Sequence, residues 1–100
     1  MYDAPPLFSL GKVVTTSTVA GLLSETYLLL CLKRHMHGDW GCVCEEDADT
    51  NNAAVREGSR LLSAYPIDET KPCKGFGENT LWIITEWDRS VTTFLLPNEY

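Results

Sequence analysis

The order of patterns along the chain predicts an α+β fold of two layers. An N-terminal strand comes first, then two to three helices, then a three-stranded antiparallel meander with the helices on one face. Three observations carry this reading. Helical spacing bounded by capping residues fills the stretch from Ser24 to Gly58. Alternating and β-branched segments fill the chain after it. Finally, 100 residues, 44% of them apolar, suffice for one hydrophobic core and not for a second.

Residues 1–7 contain Pro5-Pro6 and read as an extended lead-in to a single domain spanning 1–100. Residues 8–16 (FSLGKVVTT) end in a β-branched run and read as a strand, with Gly11 as a bulge. Residues 17–23 suit a short helix. Ser24 then offers an N-cap and Glu25 a favourable first-turn acid for a second helix running to about Met36. Tyr27, Leu28, Cys31, Leu32 and His35 share one face of it, Lys33, Arg34 and His35 suit its negative end, and Gly38 stops it. Residues 37–44 (HGDWGCVC) form a loop. A third helix covers Glu45–Glu57, with acids in its first turn, Ala48, Asn52 and Val55 on one face, and Gly58 as its stop.

Residues 59–67 alternate, with Leu61, Ser63, Tyr65 and Ile67 on one side and Arg60, Leu62 and Ala64 on the other. Residues 71–80 are rich in turn formers. Residues 81–87 (LWIITEW) are the strongest strand, Asp88-Arg89-Ser90 a tight turn locked by side-chain hydrogen bonds, and 91–96 the returning strand, ended by Pro97. Trp82, Ile84, Phe94 and Leu96 are expected on one face, Leu81, Ile83 and Leu95 on the other. Two apolar faces would leave one for a partner or a second copy, so a homodimeric structural protein is one reading.

Acids outnumber bases 14 to 8, for a net charge of -6. Residues 41–58 hold Glu45, Glu46, Asp47, Asp49 and Glu57 against Arg56 alone, a balance of -4. No cluster of Lys and Arg suits a phosphate backbone, so nucleic-acid binding and attachment to an anionic membrane are both disfavoured. The longest apolar run, residues 27–32, is far short of the roughly 20 residues a membrane span needs. An acidic face suits a basic protein partner, or simply solubility. The start of the chain lacks the basic and apolar regions of a secretory leader, so a cytoplasmic location with reduced thiols is expected. No cofactor is expected, since phosphate-cradling and nucleophile-elbow motifs are missing.

Four constellations could carry chemistry. His35, His37, Cys42 and Cys44 are zinc-ligand types, though Cys-x-Cys spacing suits a structural zinc poorly. Arg34, His35, Tyr65 and Glu86 would make a metal-independent ribonuclease if they converge, with His35 as acid or base, Arg34 on phosphate, and Glu86 or Tyr65 assisting. The turn at 86–90 could be a recognition tip. Asp39 and Trp40 between two glycines could plug the core or join Glu45, Glu46, Asp47 and Asp49 in binding a partner.

Taken together, Arg34-His35, Gly38-Asp39-Trp40-Gly41, Gly58-Ser59-Arg60, Leu62-Ser63-Ala64-Tyr65, Trp82-Ile83-Ile84-Thr85-Glu86, Asp88-Arg89-Ser90, Thr92-Thr93 and Leu95-Leu96-Pro97-Asn98-Glu99-Tyr100 form a joint pattern. It resembles a family of small bacterial proteins carried on plasmids and other mobile elements ("plasmid-related protein"). The resemblance spans about residues 10–100 and implies a cytoplasmic accessory role for a mobile element, without a defined activity. Cys42 and Cys44 depart from the family pattern, which carries acids after Gly-Asp-Trp-Gly. The element order also resembles barnase-like ribonucleases, at the level of fold only. The expected function is therefore protein–protein binding through the acidic helix, for example to a host nucleic-acid-binding or defence complex.

Overall fold

A computed structural model describes residues 4–100; the first three residues of the lead-in lie outside the described residues. The elements are β1 (Lys12–Thr15), α1 (Ser17–Leu22), α2 (Glu25–Met36), α3 (Glu45–Glu57), β2 (Leu61–Pro66), β3 (Thr80–Thr85), β4 (Val91–Leu95) and a 3-10 turn at Pro97–Glu99. This is the α+β architecture that the sequence predicts. The meander β2-β3-β4 is antiparallel, and β1 adds to the far side of β4 in parallel, giving the order β1-β4-β3-β2.

The caps act as their residue types require. The Ser24 hydroxyl accepts from the Tyr27 N–H at 3.1 Å, which starts α2. At its other end the Gly38 N–H donates to the His35 carbonyl and the Asp39 N–H to the Arg34 carbonyl, closing a Schellman motif around left-handed Gly38. Gly58 ends α3 in the same backbone region.

Four expectations are corrected. The first strand is shorter, because Phe8 turns into the core and Gly11 is a close crossing rather than a bulge. A Cβ on Gly11 would sit 2.3 Å from the Arg89 carbonyl oxygen. The third strand ends at Thr85, leaving Trp87 exposed in the turn. On β4 the faces are exchanged: Phe94 lies directly opposite Ile83, and Leu95 opposite Trp82. Directly opposed residues share a face, so Phe94 joins Leu81 and Ile83. On α3 the buried positions are Asn51 and Ala54, while Asn52 is exposed.

The helix-side core holds Val19, Cys31, Leu32, Tyr65, Leu81, Ile83 and Phe94. A second cluster of Phe8, Trp40, Ala54 and Leu61 packs under α3. The opposite face is capped in part by Tyr100, whose ring meets Trp82 edge-on at 6.0 Å. Arg60 bonds the Tyr100 hydroxyl and lies 5.1 Å over its ring.

Strand β2 is a sheet edge with its backbone fully engaged. The Asn51 amide donates to the Leu62 carbonyl at 2.7 Å and accepts from the Leu62 N–H at 3.2 Å. The Ala64 N–H donates to the Trp40 carbonyl, and the Ala64 carbonyl accepts from the Cys42 N–H. The Tyr27 hydroxyl donates to the Pro66 carbonyl, and Pro66 has no N–H to satisfy. Every outward group of this edge is therefore occupied.

Candidate functional site

His35 sits at the centre of the molecule with no exposed surface. Its Nδ1 lies 2.5 Å from the Ser63 hydroxyl and its Nε2 2.9 Å from the Thr85 hydroxyl. Thr85 in turn meets Thr92 at 2.7 Å, and the Thr92 hydroxyl donates to the Leu10 carbonyl at 2.7 Å. A carbonyl can only accept, which fixes the direction of the whole chain. Thr92 donates to Leu10, Thr85 to Thr92, and His35 Nε2–H to Thr85. Nδ1 is left to accept from Ser63. This neutral tautomer satisfies every member and ties α2, β2, β3, β4 and the N-terminal segment together. Burial, helped by the charge of Arg89, pushes the imidazole down to about 3. The ring is also walled by Phe8 and Trp40, with centroids at 5.2 and 5.8 Å.

The four residues named as a possible ribonuclease site are not assembled around an open cleft. Arg34 and Tyr65 do meet: the guanidinium lies 4.8 Å over the Tyr65 ring. Arg34 also grips Asp39 with Nε at 2.8 Å and a terminal nitrogen at 3.2 Å, and the Tyr65 hydroxyl donates to the Asp39 carbonyl at 2.7 Å. Burial pushes the Tyr65 phenol far up, so it stays neutral. His35 belongs to the hydroxyl chain instead. Glu86 uses its backbone N–H to hold Val91 and has no side-chain bond to Arg34 or His35.

The other candidates separate cleanly. Trp40 is 5% exposed, stacks on Phe8 and donates to the Asn52 side chain at 2.9 Å. It plugs the core, which corrects its assignment to a docking surface. Asp39, paired with Arg34, holds the same turn. The four zinc-ligand types do not gather. Cys42 is bonded to Cys73, His37 contacts the Lys33 and Ala4 carbonyls, and no metal-ligating cluster exists among the described residues. The disulfide corrects the expectation of four reduced thiols. The 71–79 loop lies so close over residue 42 that a Cβ on Gly75 would come within 2.9 Å of the Cys42 carbonyl oxygen. Cys31 and Cys44 are free thiols, and burial pushes that of Cys31 up to about 11. At the β3–β4 turn, Arg89 donates to the carbonyls of Ala54, Ser59, Glu86 and Trp87, so the turn is locked to the end of α3.

What stays open to solvent is the outer face of α3. Glu45, Glu46, Asp47 and Asp49 are exposed, and none forms an ion pair among the described residues. First-turn acids are favoured by the helix dipole, which accounts for Glu45, Glu46 and Asp47. Asp49 stands one turn beyond Glu45, a like-charge pair that costs about 0.2–0.5 kcal/mol. Beside this face runs a cleft of about 410 Å³, with Leu62 and Trp82 on the sheet, Asp47 on α3, and Arg60, Lys74 and Phe76 around it. Phe76 is 67% exposed. The sequence reading missed Phe76, Lys74 and Trp82 as lining residues; the aromatic and basic side chains within KPCKGFG were the available signal.

No helix among the described residues is long and apolar enough to cross a membrane. Comparison with known protein families, characterised proteins and solved structures finds no match.

Proposed function

We propose that this chain is a small acidic binding protein that docks on a basic surface of another protein through α3, with an apolar side chain of the partner entering the adjoining cleft. The resemblance to plasmid-borne proteins makes a mobile-element accessory role the matching biology, with a host nucleic-acid-binding or defence complex as the target. The observation that carries the reading is the row of unpaired carboxylates on α3, one of them spaced to repel another, next to a cleft with an exposed aromatic rim. A cationic partner would relieve that repulsion, and the contact would weaken steeply with salt. A groove built for phosphates offers such a surface.

The test is affinity capture from a host lysate at low and high salt, with the native chain and with Glu45→Lys/Glu46→Lys, read by quantitative mass spectrometry. The reading expects a salt-sensitive set of basic proteins that the reversed chain loses. Identical capture by both chains would refute it.

A further inference from the structure

The two edges of the sheet are treated in opposite ways. The β2 edge is sealed, as described above. The β1 edge is not. The Lys12 N–H donates to the Ser90 carbonyl and the Thr16 N–H to the Phe94 carbonyl, both at 3.0 Å. This phase turns the backbone groups of Lys12, Val14 and Thr16 toward β4 and those of Val13 and Thr15 outward. The outward groups have no partner among the described residues. Beside them lies an open, mainly apolar groove of about 150 Å³, where Val13, Thr15, Leu28, Leu29 and Phe94 are joined by Glu25 among the lining residues. Val13 is 43% exposed and Leu29 50%.

We infer that the β1 edge and the adjoining face of α2 pair with a second copy of this chain about a two-fold axis, forming a continuous eight-stranded sheet. The charges select this occupant. Pairing β1 antiparallel to itself about Val14 sets Val13 against Thr15 of the second copy, twice, and closes four backbone hydrogen bonds. Lys12 then faces Thr16 of the second copy, whose hydroxyl donates to Glu99 at 3.0 Å, so the ammonium meets a carboxylate. On the helix side, Glu25 and Lys33 stand four residues to either side of Leu29. An antiparallel α2 pair centred on Leu29 sets each Glu25 against Lys33 of the second copy. Glu25 and Lys33 are both exposed and form no ion pair within the chain. Leu29 lines the same groove as the β1 residues, so one axis serves strand and helix together. The backbone complementarity and both charge pairs are thus self-complementary, as an isologous interface requires.

Sedimentation velocity across low to high micromolar concentration tests this. The native chain is expected to dimerise. Leu29→Lys places a charge in the groove and should leave a monomer, with circular dichroism confirming an intact fold. Lys33→Glu should weaken the dimer roughly tenfold or more, and Glu25→Lys/Lys33→Glu should restore it, since the pair is then exchanged. A native chain that stays monomeric throughout overturns the inference. So does a dimer that tolerates both Leu29→Lys and Lys33→Glu, since its interface would lie elsewhere.

Discussion

His35 offers the sharpest test of how this fold is held together. Lowering the pH probes it without any mutation. In the folded chain the imidazole is pushed down to about 3, chiefly by burial. In the unfolded chain it titrates near 6.5. Below about pH 6.5 the unfolded chain therefore takes up a proton that the folded chain refuses. The stability that depends on a neutral His35 is complete above that pH and is lost as pH falls toward the folded value. Linkage makes the loss about 2 kcal/mol between about pH 7.5 and pH 5. That is a large share of the 5–15 kcal/mol typical of a domain. Asp68, Asp88 and Glu99, all held below their ordinary values by local hydrogen bonds, release their contributions only in more acidic solution. They leave this window to the histidine. Urea unfolding followed by tryptophan fluorescence at the two pH values measures the loss. The His35→Asn variant should be less stable at about pH 7.5 by about 1–3 kcal/mol for a hydroxyl left without its partner, and should lack the pH-dependent part, so its gap to the native chain narrows by about 2 kcal/mol at about pH 5. A native chain whose stability is flat across the window would refute the buried-neutral assignment. So would an Asn variant that shows the same loss.

Replacing Arg89 by Met removes a guanidinium shared by four carbonyls and should cost about 2–3 kcal/mol in urea unfolding while leaving the secondary structure by circular dichroism unchanged. Asn51→Ala strips the amide from the β2 edge; a loss of about 1–3 kcal/mol and faster aggregation on light scattering are expected. Cys73→Ser opens a bridge that spans 31 residues of sequence and should lower stability by up to ~3.5 kcal/mol, with no further effect of reductant on the variant. Asp49→Lys converts a repulsive one-turn spacing with Glu45 into an attractive one, so its melting temperature should hold or rise slightly while salt-sensitive capture of basic proteins falls.

Local chemistry made most elements legible in the sequence. Ser24, Gly38 and Gly58 mark helix ends through bonds made within a few residues, and the Asp88-Arg89-Ser90 turn announces the β3–β4 hairpin. What escaped was set by contacts between distant segments. The parallel seat of β1 beside β4, and the opposition of Phe94 with Ile83, depend on a register that no single stretch encodes. The position of His35 in the last turn of α2 is legible in the sequence, but it says nothing of Ser63, Thr85 and Thr92, which come from three separate strands. The same holds for Cys42 and Cys73, which meet only because a long loop folds back. The acids of α3 needed no tertiary information. The cleft beside them did, since Leu62, Phe76 and Trp82 come from three different segments.

The seat of β1 has a consequence for how the molecule is made. Its register joins Lys12 to Val91 and Thr15 to Phe94, so the first strand of this sheet to be synthesised waits for the sheet's last. During translation α1, α2 and α3 emerge, and then β2 and β3, while β1 still lacks its neighbour. The hydroxyl chain around His35 also stays open until Thr92 arrives. A pairing so distant in sequence must meet its loop-closure entropy before the contact rewards it, which delays this step of folding. A ribosome that stalls before β4 would therefore release a chain with an unpaired strand and an unfilled polar core, a species prone to aggregation and a natural client for chaperones.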